Sequence, residues 1–184
     1  MTDAAGNVTS WSYNVRGFVT ATSDPDAGNW SYVPNAFGEL ASQTDAKSQS
    51  LSFTYDKLGR PLTRVEPEGT TTWSWGTSAA AKNIGRLTSI TSPGGYAESY
   101  SYDSLGRLAQ QQVTVDGTAY TINQTYAASS GWPATLEYPL STSGYRLKLA
   151  YDYQNGQLKR VLRRRSREPF PAAKRWARAV VPAR

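Results

Sequence analysis

Aromatic residues alternate with Ser or Thr along much of the chain, which is the period of a β-strand. The pattern is clear at residues 11–13 (WSY), 53–55 (FTY) and 100–102 (YSY), and it recurs in shifted positions at 30–32 and 73–75. Successive side chains of a strand point to opposite faces of a sheet. The alternation therefore predicts stacked rows of aromatic rings on one face and small hydroxyl residues on the other.

Glycines interrupt this pattern at a nearly constant interval, with steps of 21, 21, 26, 21, 25 and 25 residues. The aligned positions are Gly17, Gly38, Gly59, Gly85, Gly106, Gly131 and Gly156. A second turn signal lies between many of them, at residues 2–7 (TDAAGN), 23–29 (SDPDAGN), 44–49 (TDAKSQ), 66–69 (EPEG) and 115–117 (VDG). Two turns per period imply two strands per period, so the repeating unit is predicted to be a β-hairpin.

One turn motif returns almost unchanged, as YDKLGR at residues 55–60 and YDSLGR at residues 102–107. An Asp side chain can accept hydrogen bonds from backbone groups two residues on, and Gly tolerates the positive φ that closes a short hairpin loop. We predict that Asp starts the loop, Gly ends it, and Arg opens the return strand.

The composition supports an all-β fold of repeated antiparallel hairpins. Helix signals are nearly absent before residue 163, although residues 79–81 could form either one helical turn or a loop insertion. The chain has 12 Tyr and 6 Trp, which favour strands and bury large areas, so an aromatic-rich sheet can take the place of an aliphatic core. The predicted array spans residues 1–162.

Chemistry that needs Cys or His is excluded because the chain contains neither residue. Disulfides, Cys/His zinc sites, thiol nucleophiles and imidazole bases therefore play no part. No apolar run reaches the roughly 20 residues that a membrane helix needs. The N-terminus lacks a basic segment followed by an apolar one, so no secretory signal is expected and the compartment stays open.

The net charge of +6 belongs to the end of the chain. Residues 163–184 hold eight Lys or Arg against one acid, Glu168, so the repeat body is nearly neutral and offers no electrostatic footprint for nucleic acid. This basic tail is expected to be disordered, or alternatively to form a short helix from Pro171 through Val181. Its Arg-, Ala- and Pro-rich composition also suggests out-of-frame translation of a GC-rich gene, which comparing the three reading frames would test.

The repeats resemble the YD repeats of the RHS family, whose pattern is close to YDxxGRL. The first two copies match closely, and a third at residues 151–158 has one extra loop residue and Gln157 in place of Arg. Asn14 and Asn35 take the Asp position in more degenerate copies. The motif residues assigned a structural role are Tyr55, Asp56, Gly59, Arg60, Leu62, Tyr102, Asp103, Gly106, Arg107, Leu108, Tyr151, Asp152, Gly156 and Leu158.

This resemblance implies a curved, spiral β-sheet that forms part of a shell. Such shells occur in bacterial polymorphic toxins, in the C component of insecticidal toxin complexes and in teneurins. In the bacterial members the shell encloses a C-terminal toxin domain, and family members are usually secreted or at the cell surface. The partners implied are a toxin or effector domain and further repeats of a larger protein, with no cofactor and no metal.

Two sets of charged residues admit a functional interpretation beside the structural one. Asp56, Asp103 and Asp152 could act as general acids or metal ligands, but their fixed place before a turn glycine favours a structural role. The residues Arg60, Arg86 and Arg107 could bind a ligand or form a ladder with neighbouring aromatics and acids. The segment around Asp24 resembles a calcium loop only superficially, and turn chemistry explains it better.

The leading hypothesis is a non-enzymatic scaffold, a fragment of an RHS shell that encloses or delivers a toxin. The first alternative is a surface or adhesion module whose aromatic residues bind glycans or proteins. A weaker alternative is a glycosidase with two carboxylates, because that chemistry needs neither His nor Cys. We also expect self-association through unpaired edge strands, since a short array leaves its ends uncapped.

Overall fold

In the computed structural model, residues 1–167 are described, with side chains described as far as residue 163. They form fourteen β-strands whose order in the sheet follows their order in the sequence. The strands are β1 Ser10–Tyr13, β2 Val19–Asp24, β3 Gly28–Pro34, β4 Leu40–Thr44, β5 Ser50–Tyr55, β6 Pro61–Glu66, β7 Gly69–Trp75, β8 Leu87–Thr91, β9 Ala97–Tyr102, β10 Leu108–Val115, β11 Thr118–Tyr126, β12 Pro133–Leu140, β13 Tyr145–Gln154 and β14 Gln157–Arg167. The all-β antiparallel prediction is confirmed.

Helical structure is limited, in the described residues, to one 3₁₀ turn at Pro93–Gly95. The segment at residues 79–81 lies in the long loop between β7 and β8, so the loop alternative is the correct one. No helix among the described residues is long and apolar enough to cross a membrane. The helix predicted to begin near Pro171 lies outside the described residues.

The chain divides into two compact units. The first comprises residues 1–108 with 112–119, and the second comprises residues 109–111 with the chain from Tyr120 onward. The first unit therefore contains β1 to β9 and the loop of the β10–β11 hairpin, and the second contains β12 to β14. Strand β14 continues through Arg167.

The connections of the first unit fall into two sets, one at each end of the strands. This is because alternate loops of an antiparallel meander lie at the same end of the strands. We call the first set the corner edge: residues 14–18, 35–39, 56–60, 76–86 and 103–107. We call the second set the turn edge: residues 2–8, 24–28, 45–49, 66–69, 92–96 and 116–117. Each repeat supplies one corner and one turn, which confirms the hairpin unit; the turn at residues 92–96 was missed in the sequence.

The two faces of the first unit differ as the alternation predicts. Strand pairing sets Trp11 opposite Thr22 and Thr22 opposite Trp30, and it sets Trp73 opposite Ile90, so the aromatic residues share one face. In β5 the residues of this face are half-buried, whereas the Ser and Thr residues between them are exposed. On the hydroxyl face, cross-strand pairs are hydrogen-bonded through their side chains; for example, the hydroxyl oxygens of Thr54 and Thr63 lie 2.6 Å apart.

The sheet buries very few residues. Among the described residues only Thr71 and Gly106 are buried, and no apolar side chain is. The aromatic rings contact one another while remaining partly accessible; for example, Phe53 and Tyr55 stack at 6.5 Å between ring centroids. With no layer of described residues covering the sheet, the fold is specified by the hydrogen bonds between strands and by the contacts between loops.

The first four corner hairpins share an irregularity next to the loop. In the β5–β6 hairpin Tyr55 pairs with Pro61 and Thr54 pairs with Thr63, which leaves Leu62 as an extra residue. The same one-residue shift occurs in the β1–β2, β3–β4 and β7–β8 pairs, whereas the β2–β3, β4–β5, β6–β7 and β8–β9 pairs are regular. A bulge increases local twist and re-aims side chains, so it sets the direction in which each corner leaves the sheet.

Candidate functional site

The corner at Asp56 is closed by its own side chain and backbone. The Asp56 Oδ1 atom accepts hydrogen bonds from the backbone N–H of Leu58 at 2.8 Å and of Arg60 at 3.1 Å. The backbone N–H of Asp56 donates to the Arg60 carbonyl at 2.9 Å, and Gly59 donates to the Asp56 carbonyl at 3.1 Å with φ +75°. The motif YDKLGR therefore encodes a five-residue loop in the way that the sequence predicts.

The same closure is repeated along the chain. At Asp103 the side chain accepts the N–H groups of Leu105 and Arg107, each at 2.9 Å. Asn14 and Asn35 make the equivalent bonds with their amide oxygens, which explains why Asn can replace Asp. Asp3 and Asp45 form the same loop on the turn edge. The sequence analysis treated these two loops separately from the YD motif, although their hydrogen bonds join the same positions relative to Asp.

An ion pair distinguishes the two complete YD corners from the others. The Arg60 Nε and Nη2 atoms lie 2.7 and 2.5 Å from Asp56 Oδ2, and in the second corner the corresponding Arg107 atoms both lie 2.7 Å from Asp103 Oδ2. The Arg60 side chain is the main cause that lowers the pKa of Asp56, and backbone N–H groups add to it. Burial raises the pKa of Asp103, but hydrogen bonds from Arg107 and the backbone outweigh it, so this pKa is lowered too.

Successive corners stack on one another through the residue that follows each glycine. A Cβ atom added to Gly38 would lie 2.6 Å from the Phe18 ring, and one added to Gly59 would lie 2.7 Å from a Glu39 carboxylate oxygen. A Cβ atom added to Gly106 would lie 3.2 Å from the Arg86 guanidinium. Glycine is therefore required at these corners for two reasons: the backbone has a positive φ, and the preceding repeat approaches too closely for a side chain.

Arginine side chains extend this stacking to the neighbouring repeat. The Arg60 guanidinium lies 4.7 Å from the centre of the Trp75 ring and donates a hydrogen bond to the Gly85 carbonyl at 3.1 Å. Arg86 lies 5.3 Å from the centre of the Tyr102 ring. The predicted ladder of Arg residues with aromatics and acids is thus confirmed at these positions, and the guanidinium groups are used within the sheet.

The aromatic residue before each of the last three corners of the first unit carries a second link between repeats. The Tyr55 hydroxyl donates to the Leu40 carbonyl at 2.9 Å, and the Tyr102 hydroxyl donates to the Leu87 carbonyl at 2.5 Å. The Trp75 indole N–H donates to the Pro61 carbonyl at 2.9 Å. In all three cases the acceptor begins the strand that follows the previous corner, so the motif tyrosine is a link between repeats as well as a packing residue.

The third motif copy differs from the expectation. Asp152 lies inside β13 instead of opening a loop, and it pairs across the hairpin with Arg160 at 2.8 Å. The chain turns at Asn155 and Gly156, whose φ values of +52° and +79° allow a two-residue hairpin loop. Tyr151 and Leu158 lie in β13 and β14, away from any five-residue corner.

The remaining motif leucines lie at the start of return strands. Leu62 is the half-buried bulge residue of β6, and Leu108 begins β10. The turn at residues 141–145 was missed in the sequence: Ser141 Oγ accepts the Tyr145 N–H at 3.2 Å, so a serine there does the work of Asp. A search for Asp-Gly signals alone does not find it.

Of the carboxylates that we considered as catalytic or metal-binding groups, Asp56 and Asp103 close their corner loops, whereas Asp152 pairs with Arg160 between strands. Asp24, the candidate calcium ligand, accepts the N–H groups of Asp26 and Ala27 at 2.9 Å and the Thr9 hydroxyl at 2.8 Å. These bonds lower its pKa, the one from Ala27 most. Over the described residues no group of three or more acidic side chains is placed to hold a metal ion. An open cleft of about 480 Å³ lies beside Trp11 and Tyr32.

Fold and corners together define a class: an antiparallel β-repeat protein whose repeats are joined by stacked, glycine-containing corner loops. The model of the RHS repeat family matches residues 1–28, 35–71 and 84–119. The chain belongs to the RHS repeat family. A search of curated protein sequences gave no significant match.

Solved structures share the fold at low sequence identity. The crystal structure of TcdB2-TccC3-Cdc42 matches 82% of this chain with 19% identity and a TM-score of 0.62, and the match covers 8% of that chain. The crystal structure of TcdB2-TccC3 matches 87% of this chain with 17% identity and a TM-score of 0.58, covering 11% of that chain. The present chain thus spans about a tenth of these relatives, and the similarity establishes the shared fold.

Proposed function

We propose that this chain is a non-enzymatic scaffold that forms part of the wall of an RHS shell, and that the whole shell encloses or delivers a toxin. The observation that carries the proposal is the corner ladder. Asp56 pairs with Arg60 and Asp103 pairs with Arg107 within their own corners, and Arg60 also contacts the next corner at Gly85. Residues that serve to join repeats suit a wall better than an active site.

The family and the shared fold support the same conclusion at the level of architecture. The relatives that share the fold are TcdB2-TccC3 structures, one of which also contains Cdc42, and they are assemblies of several components. A segment with this fold is suited to associate with further repeats or with another domain. The shared fold supports the architectural part of the proposal. Enclosure of a toxin by this protein is a further part of it.

The coding DNA around this chain provides the test of the shell proposal. We expect codons for additional YD repeats next to the present ones, followed by a toxin-coding segment and an immunity gene. A lone reading frame for a secreted protein, without further repeats or a toxin segment, would contradict the proposal and favour adhesion.

The absence of catalysis is tested separately with a hydrolase screen on glycoside and ester substrates. We expect no turnover above the buffer blank. Turnover that is lost in a folded Glu137→Gln or Asp26→Asn variant would contradict the non-enzymatic part of the proposal. The two acids lie outside the YD corners, so the variants leave the motif ion pairs intact.

A glycan-binding or adhesive role is the second candidate, because aromatic rings remain accessible. Trp11 is 43% exposed and lines the open cleft beside β1 to β4 together with Tyr32. Aromatic faces stack on sugar rings as well as on one another. Binding on a glycan array that is lost in Trp11→Ala, but kept in the matched control Phe37→Ala on the corner edge, would support this role. Absence of binding by the parent chain would reject it.

A further inference from the structure

The two edges of the first unit carry opposite charge. The turn edge holds seven acidic residues and one basic residue, Lys47. The acidic residues are Asp3, Asp24, Asp26, Asp45, Glu66, Glu68 and Asp116. The corner edge holds six basic and three acidic residues. The basic residues are Arg16, Lys57, Arg60, Lys82, Arg86 and Arg107. The near-neutral composition of the repeat body conceals this separation.

The corner edge is also apolar at its outermost points. In four successive corners the residue directly before the glycine is apolar and exposed: Phe37, Leu58, Ile84 and Leu105 are 87, 76, 64 and 72% exposed. Exposed Lys57 and Lys82 stand beside these tips. An apolar row rimmed by charge is the composition of an interaction surface rather than of an ordinary solvated edge.

The repeat spacing makes the two edges match each other. Each repeat contributes two strands, and neighbouring strands lie about 4.8 Å apart, so both corners and turns recur about every 10 Å. Two copies placed side by side can therefore set the acidic turns at residues 24–28 and 66–69 of one copy against the basic corners at residues 14–18 and 56–60 of the other, since both pairs are two repeats apart. Attraction between opposite potentials then adds up along the edge instead of acting at one point.

We propose that the corner edge of one copy of this chain docks against the turn edge of a second copy. The two surfaces are different, so the contact is head-to-tail and leaves one edge of each kind open for a further copy. It uses loops and charge, and is distinct from the backbone pairing of unpaired end strands expected from the sequence.

Sedimentation velocity of the full chain tests this contact at two salt concentrations. The Debye length is about 10 Å in 0.1 M salt and about 3 Å in 1 M salt, so the charged contact weakens strongly between them. We expect an average mass of at least twice the monomer in 0.1 M NaCl and a monomer in 1 M NaCl. A monomer in both conditions would overturn the proposal, and so would an assembly that is unaffected by salt.

Charge-reversal variants locate the contact. The corner variant carries Lys57→Glu and Lys82→Glu, and the turn variant carries Asp26→Lys and Glu68→Lys. We expect each to be monomeric alone in 0.1 M NaCl, and their equimolar mixture to associate again because each reversed edge now matches the other copy. Recovery in the mixture also shows that both variants are folded.

A matched control has the same change of charge elsewhere: Lys159→Glu with Arg163→Glu in β14. We expect it to associate like the parent chain. Loss of association in this control would assign the contact to the basic end of the chain, and a mixture that stays monomeric would show that the edges do not meet. Either result contradicts the proposal.

Discussion

At the scale of single residues, the corner glycines allow backbone strain and stacking to be compared directly. Gly17 and Gly38 occupy the same place in successive corners, with φ values of +82° and +88°. A Cβ at Gly17 meets nothing within 4 Å, whereas a Cβ at Gly38 meets the Phe18 ring at 2.6 Å. The pair therefore separates the cost of backbone strain from the cost of stacking.

We predict that Gly38→Ala destabilises the protein more than Gly17→Ala. The left-handed conformation costs a non-glycine residue about 1 kcal/mol in both variants. Displacing the Phe18 ring adds about 1–3 kcal/mol in Gly38→Ala, the usual cost of overpacking. Urea unfolding followed by tryptophan fluorescence measures both values. Equal losses in the two variants would mean that the repeats do not stack through this position.

The ion pair of the complete corner gives a pH prediction. Asn14 and Asn35 show that an amide closes the loop without the arginine pair, so Asp56→Asn removes the pair and keeps the cap. The folded-state pKa of Asp56 lies below its ordinary value, mainly because of Arg60. Its stabilising contribution is therefore present above the unfolded pKa of about 3.9 and disappears as pH falls through the folded-state pKa.

We expect Asp56→Asn to be less stable than the parent chain at pH 7, and the difference to shrink as pH falls below about 4. Urea midpoints measured between pH 7 and pH 3 check this. Glu68→Gln is a suitable control, because it removes a carboxylate that is exposed on the turn edge. A difference that stays constant with pH would show that the ion pair adds nothing to stability.

At the scale of strands and loops, the motif tyrosine joins neighbouring repeats. We predict that Tyr55→Phe and Tyr102→Phe each destabilise the protein by about 0.5–1.5 kcal/mol, because each leaves a backbone carbonyl without its hydroxyl donor. Tyr13→Phe is the matched control, since Tyr13 precedes the first corner and is 59% exposed. Thermal unfolding compares the three variants, and a control that loses as much as the others would refute the link.

Strands and corners could be predicted because they depend on local sequence. Alternation gave the faces, and an Asp or Asn with a glycine three residues later gave the five-residue loop at Asp56 and Asp103. The same reasoning failed at Asp152, where the adjacent Asn155 and Gly156 close a tighter turn. Contacts such as Phe18 against Gly38 join residues of different repeats, so they depend on strand register that no single motif specifies.

At the scale of the whole molecule, the contacts between neighbouring corners explain how a sheet with so few buried residues keeps one fold. The residue after each corner glycine contacts the glycine of the next corner, and Arg60 also contacts Trp75 and the Gly85 carbonyl. The stabilising contacts of a repeat are therefore made with its neighbours. Such an array behaves as a chain of nearest-neighbour interactions, and it can open locally without opening throughout.

We therefore predict that damage at one corner stays local. In Gly38→Ala, hydrogen exchange followed by mass spectrometry should be faster in β1 to β4, the strands that are joined by the corners of Phe18 and Gly38. Amides of β8 and β9, two repeats away, should keep their protection because their own corner contacts, Arg86 with Tyr102 among them, are intact. Gly17→Ala should speed exchange only around the first corner. If protection falls equally in all of these strands, the unit opens as one cooperative body, and the nearest-neighbour account of the ladder is wrong.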